Sequence, residues 1–481
     1  MSKKPTQKPI HSNIEFRNLG KIKEANIQIR PFTVIAGCNS SGKSFITKSL
    51  YSLFSGMGRT NKEYIVAELV TGLLLYSEDI IHLPDFLKIS VNSELEAYIK
   101  KLEQEVQFLE DLSHKEMTYL QASPALTNID LLLGKLQVLF KKGTKSQLSL
   151  AGIEEDASLS KKDKRLVPHF FELAHTACNT LSDHLSNPDI RLNDAICMNI
   201  AESLRDNFTI SSTSQLVHFN KYCATIKGDD FGLVKITDKI DAVANTISKI
   251  NTFNAHPPIY LESPIYWKLS DALEDSKKAL DITAKKRNLF GNQLVSKVPK
   301  YFFDVLELLD DQVKTDLFND IAQTIEEAIK GSLSISDGGI KFVDKESNKA
   351  VSLSVTALGI TNLGMIALLL ERGAILPGTF LFIDEPEVHL HPMWQVVLVQ
   401  VLHELSKRGV NVVIASHSID IMKAIENLMN SDEDIDQQTH FGLNQLTEDG
   451  HSIDVTDNNF KRIAAIKEDL GKPFYDMFMG A

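Results

Sequence analysis

The stretch FTVIAGCNSSGKSFITKSLYSLF, residues 32–54, decides the fold. Phe32 to Ala36 is a short apolar run bounded by Pro31 and Gly37, the pattern of a buried strand, and Phe45 to Phe54 carries apolar residues at helical spacing. Between them Gly37 to Ser44 matches G-x-x-x-x-G-K-S, so strand, loop and helix follow in the order that makes this motif informative. Glycine at positions 37 and 42 lets the loop turn backbone N–H groups onto phosphate oxygens with no Cβ in the way, and the helix offers its positive end to the same anion. Lys43 is expected to reach the β- and γ-phosphates, and the Ser44 hydroxyl to sit on a bridging Mg²⁺. Gly37, Asn39, Ser40, Ser41, Gly42, Lys43, Ser44 and Phe45 together form the expected nucleotide-binding loop, with ATP and Mg²⁺ as its ligands.

A second apolar strand lies in LFIDEPEVHLHP, residues 381–392, and delivers Asp384 and then Glu385 at its carboxyl end, where open α/β sheets bind ligands. Asp384 is a hard oxygen donor suited to Mg²⁺, directly or through water. Glu385 is the candidate to orient or deprotonate an attacking water. Pro386 argues that the strand ends near Asp384, which allows the two carboxylates to divide these roles. His389 and His391 stand close to Glu387, but no third His or Cys ligand can be named by spacing, which disfavours zinc. His417 ends the run VVIAS on the same sheet edge and is the candidate to touch the γ-phosphate or the attacking water.

The surrounding chain fixes an organisation. Its 481 residues exceed one ordinary core, and strands alternating with helices after Gly331 imply a parallel sheet covered on both faces. The expected fold is α/β, a P-loop ATPase core with a mostly parallel sheet, N-terminal antiparallel strands and a large helical insertion. We divide it into an N-terminal lobe at 1–55, a mostly helical insertion at 56–330, a C-terminal lobe at 331–430, and a terminal hairpin and helix at 431–481. Within the insertion, HPPIYLESPIYW breaks the helical texture, so a core strand is expected to return near 257–268, followed by a helix over 301–330. Leu95, Ile99, Leu102, Val106, Leu109 and Leu112 approximate a heptad too short for a coiled coil and read as half of a helical hairpin. The end, PFYDMFMGA, is expected to pack on its own domain.

Composition excludes several functions. Apolar residues at 43% and charged residues at 24% are ordinary for a globular chain, and no run approaches the ~20 apolar residues of a membrane helix. MSKKPTQKPIHSNIEF lacks the apolar core of a secretory signal, so no membrane and a cytoplasmic location are expected. Four cysteines without a C-x-x-C pair argue against a thiolate zinc site and a disulfide scaffold and read as buried thiols. A net charge of −12 argues against long-range attraction of the whole surface to nucleic acid, leaving DNA as a local partner at most. The basic clusters at Lys161, Lys162, Lys164, Arg165 and at Lys285, Lys286, Arg287 have no interleaved aromatics and read as solvated faces.

Taken together, GCNSSGKS, LFIDEPEVHLHP and IASHS resemble the ABC-type ATPases of the OLD-like and SMC-like group. The EPE-x-HLHP arrangement is similar to the ATPase subunits of bacterial antiphage systems, in particular the PtuA ATPases of Septu and their retron-associated relatives, and the PARIS ATPase is similar in plan. The motifs lie at the two ends of the chain, and the insertion matches only in position. The resemblance implies homo-oligomers in which two protomers sandwich ATP, and a separate HNH nuclease subunit (PtuB-like) as partner. It also implies a signature helix beginning in SVTALGITNLGMIALLLE, with Gly359 offering N–H groups to the nucleotide of the other protomer. Ala357 stands two positions before Gly359, where a serine commonly precedes the signature glycine, which lowers the expectation of fast hydrolysis. OLD proteins continue into a Toprim nuclease, and Asp432, Asp434 and Asp436 mimic its acidic spacing. Fewer than fifty residues follow Asp434, too few for that domain, so an acidic loop is expected. The alternative is a DNA-repair ATPase similar to RecF or Rad50; a transporter ATPase would normally lack the large insertion.

Overall fold

The computed structural model describes residues 10–58, 62–84, 93–113, 119–142, 163–242, 256–270, 272–273, 298–310, 315–336, 339–453 and 458–479. The chain forms two compact units, Met1–Gly58 with Cys197–Ala481, and Arg59–Ile196.

The first unit is built on a six-stranded sheet in the order β14-β13-β3-β12-β11-β7. Its strands are β3 (Phe32–Gly37), β7 (Ile259–Leu261), β11 (Phe380–Asp384), β12 (Asn411–Ser416), β13 (Phe441–Leu446) and β14 (Ser452–Ile453). β7, β11, β12, β3 and β13 run parallel, and only β14 is antiparallel. Every residue of β3 and of β11 is buried, which is why both read as unbroken apolar runs. β3 pairs with β12 from Val412↔Phe32 to Ser416↔Ala36, and β11 with β12 from Phe380↔Asn411 to Asp384↔Ala415. This register brings the ends of β3, β11 and β12 to one edge. Helix α1 (Lys43–Gly58) follows β3, as the motif implied.

A second sheet is antiparallel, in the order β2-β1-β4-β5-β6, from β1 (Ser12–Leu19), β2 (Ile22–Ile29), β4 (Ala224–Gly228), β5 (Gly232–Ile236) and β6 (Ile240–Ala242). β1 alternates as a sheet with one wet face must: Ile14, Phe16 and Leu19 are buried, while Asn13 and Arg17 are exposed. The α/β core with a mostly parallel sheet and N-terminal antiparallel strands is therefore present. The extent expected for the helical insertion needs correction. Residues 197–330 do not continue it: they supply β4 to β6 to the antiparallel sheet and β7 to the parallel one, the last within the stretch where a strand was expected to return. The polar segment KGDD, residues 227–230, ends β4 and leads into the turn to β5. Likewise the helix expected over 301–330 is two helices, α8 (Lys300–Asp310) and α9 (Asn319–Ile329).

A small third sheet, β10-β9-β8, comprises β8 (Gly331–Ser336), β9 (Gly339–Asp344) and β10 (Ala350–Ser352). Residues 337–338, between β8 and β9, lie outside the described residues. The hairpin expected at Asp449-Gly450 joins β13 to β14. Gly450 has φ +79° and its carbonyl accepts from the amides of Lys23 and Glu24. Of the terminal helix, Asn459–Met479, Ile463 and Ile466 are buried, but Tyr475 and Met477 are exposed, so the expected packing of the apolar end stops short of them.

The second unit holds α2 (Lys62–Ile81), α3 (Ser93–Ser113), α4 (Tyr119–Lys142) and α5 (Asp163–Ser186), the last followed by α6 (Pro188–Phe208), which crosses the unit boundary. Leu95, Leu102, Val106 and Leu109 of the short heptad face one apolar cluster with Ile129, Leu133 and Leu136 of α4 and Phe171 and Leu181 of α5. Each such side chain contributes about 1.5–3 kcal/mol by leaving water. Both basic clusters fall outside the residues whose side chains are described.

Candidate nucleotide site

The loop between β3 and α1 has a shape that its glycines permit. Gly42 sits at φ +101°, and a Cβ there would lie 2.4 Å from Ile22 Cδ1; a Cβ on Gly37 would meet the Leu446 carbonyl at 2.6 Å. Ser40 adopts φ +63°, a strained conformation for a residue with a side chain. Asn39 and Ser40 are exposed, whereas Ser41 is buried with no partner for its Oγ among the described residues. Phe45 packs its ring 5.4 Å from that of Phe208 and fills the space left by Gly20, so this position anchors the start of α1 to the antiparallel sheet.

Lys43 is only 4% exposed, and its ammonium donates to the carbonyls of Gly37 and Cys38, both at 2.9 Å. Burial lowers its pKa, against the pull of Glu385, Asp384 and Glu387. A cation held under the loop by two carbonyls, with carboxylates nearby, is positioned to exchange those acceptors for phosphate oxygens.

Asp384 closes β11 and is 5% exposed. Its Oδ2 accepts from the Tyr260 hydroxyl at 3.2 Å, and the Ser44 hydroxyl also hydrogen-bonds the carboxylate. Oδ1 is buried without a partner among the described residues. Burial raises its pKa to about 6, with Ser44 opposing. Such an atom wants a cation, and Ser44 and Asp384 together fit Mg²⁺ as hard oxygen donors. Glu385 takes φ +50°, so the chain leaves the strand where Pro386 implied, and its side chain stands 43% exposed. Its amide still donates to the Ala415 carbonyl at 2.9 Å.

Successive turns, Val388 N–H to Glu385 O and Leu390 N–H to Glu387 O, fold the next residues back onto β12. They bury Glu387, whose Oε1 accepts from the His417 amide at 2.8 Å and lies 3.0 Å from His417 Nδ1. His417 Nδ1 is 3.8 Å from Glu385 Oε1. Lys43, Ser44, Asp384, Glu385 and His417 thus converge on the carboxyl edge of β3, β11 and β12. The residues sequence reasoning missed are Tyr260 and Glu387, along with Thr47, which touches the Tyr260 hydroxyl at 3.2 Å. Glu387 had been weighed only beside the two histidines. His391 is a helix cap, its ring accepting from Met393 N–H at the start of α11 (Pro392–Lys407).

The family model for the AAA ATPase domain matches residues 11–422, most of the chain. This chain belongs to the AAA ATPase domain family. None of the curated proteins matches it. Similar solved structures include an SmcHead bound to the C-winged helix domain of ScpA, at 11% identity and TM-score 0.37 over 92% of this chain and 96% of that chain. Another is the SMC head domain from Thermotoga maritima, at 9% identity and TM-score 0.31 over 86% and 91%. Overlap at that level offers no basis for transferring a residue role or a partner. Within this ATPase domain, Gly359 stands apart from the loop residues, at the second position of α10 (Leu358–Glu371). A Cβ there would lie 2.8 Å from the His389 carbonyl and 3.0 Å from the Trp394 ring, so glycine is needed for α10 to approach the turn after Glu385. No helix among the described residues is long and apolar enough to cross a membrane.

Proposed function

We propose that the protein binds Mg·ATP at this edge and hydrolyses it slowly, acting as a nucleotide-dependent switch. The observation that carries the reading is the meeting of Lys43, buried under its loop, with Asp384, whose Oδ1 is buried and unpartnered among the described residues. Lys43 would neutralise the β- and γ-phosphates while N–H groups from Asn39 to Phe45 cradle them. Ser44 and Asp384 would hold Mg²⁺, which offsets the charge on the phosphate oxygens when bound. Glu385, 43% exposed, would accept a proton from the attacking water, and His417, oriented by Glu387, would contact the γ-phosphate. Gly359 at the start of α10 supports dimers in which its N–H groups meet the nucleotide of a second protomer. Binding would favour the closed pair, and loss of the γ-phosphate would release it.

The resemblance to antiphage ATPases supports a finer reading, in which the switch restrains or activates a separate HNH nuclease. Light scattering on the purified protein, alone and with a co-expressed HNH nuclease, each with and without Mg·ATP, tests both levels alongside a DNA-cleavage assay. ATP-dependent assembly with nuclease activity under nucleotide control is the expected result. ATPase activity stimulated by DNA in the absence of any nuclease would instead support the repair-type ATPase.

A further inference from the structure

The Asp384 carboxylate is held from behind by a residue 124 positions away in the chain. Tyr260 is the middle residue of β7, the edge strand that pairs in parallel with β11 through Phe382↔Tyr260. Its ring is 1% exposed, packed 5.5 Å from Tyr51, 4.6 Å from Tyr301 and 6.3 Å from Phe382. Only its hydroxyl meets polar atoms: Asp384 Oδ2 and Thr47 Oγ1, both at 3.2 Å. A phenol has one proton to give, and a buried carboxylate must accept it. Thr47 must therefore donate to the Tyr260 oxygen, which sets the order Thr47 to Tyr260 to Asp384. The longer contacts from Thr47 to the carbonyls of Lys43 and Ser44, both 3.4 Å, are the weaker use of its proton.

We propose that Tyr260 is a positioning residue for the metal site: by occupying Asp384 Oδ2 it holds the carboxylate in the rotamer that leaves Oδ1 free for Mg²⁺. This rests on the Mg·ATP reading above. Without the phenol, Asp384 could turn either oxygen toward the metal or toward Thr47, and the site would have to order the carboxylate each time it bound the ion. The neighbouring Tyr301 provides an internal contrast, since its hydroxyl goes to Glu262, which pairs with Lys48 Nζ at 2.8 Å. The two phenols share a cluster, but only Tyr260 touches Asp384.

Calorimetric titration of the full-length protein with ATP, first in EDTA and then across Mg²⁺ concentrations, separates the alternatives without relying on turnover. Tyr260→Phe keeps the ring and removes the proton. It should bind ATP in EDTA as the parent does, within about twofold, and lose about tenfold in the gain that Mg²⁺ confers, the share expected of one hydrogen bond to a charged group. Thr47→Val should move the same quantity in the same direction by less, and Tyr301→Phe should leave it at the parental value. The proposal is overturned if Tyr260→Phe keeps the full Mg²⁺ gain, or if its ATP binding falls equally in EDTA, which marks a packing role. A parent protein that binds no ATP under either condition overturns the nucleotide reading itself.

Discussion

The parallel sheet has two ends, built from the same strands and put to opposite uses. At the carboxyl end of β3, β11 and β12 several buried polar atoms have no partner among the described residues, Ser41 Oγ, Asp384 Oδ1 and Glu387 Oε2 among them, and the chain bends through positive φ at Ser40, Glu385 and His389. At the amino end, Phe32 of β3 and Phe441 of β13 stack with two imidazoles: His403 lies 5.5 Å from Phe441 with rings 12° from parallel, and 5.4 Å from His440. His403 Nε2 donates to Asp432 Oδ2 at 2.9 Å, and that oxygen also takes Lys407 Nζ at 3.0 Å. His440 Nε2 meets Ser406 Oγ at 2.9 Å. Ser406 gives its proton to the His403 carbonyl at 2.7 Å, so His440 is the donor of that pair. His403 Nδ1 has no partner among the described residues, but a neutral lone pair is far cheaper to bury than a carboxylate oxygen. Both ends are clusters of titratable groups. One end is strained and short of partners, as a ligand site is; the other is plugged with rings and closes on itself.

If that contrast is right, substitutions at the two ends must separate ligand effects from stability effects. The largest should come from Lys43→Ala, which is expected to weaken ATP binding about a hundredfold or more by removing the buried cation under the phosphates. Unfolding by denaturant should show little loss, since the ammonium is held there against its own desolvation. Unchanged ATP affinity would break the assignment of this end as the nucleotide site. Glu385→Gln is expected to keep ATP affinity and reduce turnover about a hundredfold or more, with nucleotide retained on the protein. Equal losses in kcat and affinity would place Glu385 in binding instead.

At the amino end the signs reverse. Asp432→Ala leaves the buried His403 N–H and the Lys407 ammonium without their shared acceptor, and is expected to cost about 3 kcal/mol of stability in a urea titration. ATP affinity measured by calorimetry should not move. A change in ATP affinity without a stability change would make Asp432 a functional candidate.

Much of the carboxyl end was legible in the sequence because its parts are local. GCNSSGKS carries its own strand and helix, and Asp384 and Glu385 follow an apolar run that needs no alternation, being buried on both faces. What escaped is what the fold brings from afar. Tyr260 reads as one aromatic in a Pro-rich strand, and nothing local says that its hydroxyl meets Asp384. Glu387 became buried only because consecutive turns carry it back to the His417 amide. The same limit explains the misplaced end of the insertion. β4 and β5 are five residues each, joined at Asp229 and Asp230, too short for a period of two to stand out among helices. The amino-end cluster was equally hidden: SDEDID looks like a solvated loop, and only α11 supplies the imidazole that claims Asp432.

The smallest effect tests the amino end by pH. Burial, with help from His403, pushes His440 down to about 4, while the pair with His403 holds Asp432 at about 2. His440 is thus neutral in the fold at pH values where the unfolded chain, with a histidine pKa near 6.5, already takes a proton. Its contribution to stability is complete above pH 6.5 and drains away between 6.5 and 4. That of Asp432 is present above about 3.8 and is lost toward 2. Between pH 7 and pH 5 the loss from His440 alone is about 2 kcal/mol, because the unfolded state's excess of bound protons grows from about a quarter of a proton at pH 7 to nearly one at pH 5. His440→Gln keeps an N–H for Ser406 and removes the titration. Urea unfolding at the two pH values should therefore show the variant losing about 2 kcal/mol less than the parent. Identical losses would mean that the ring takes up its proton in the folded protein as it does in the unfolded chain. The amino end of the sheet would then be as open to water as the carboxyl end.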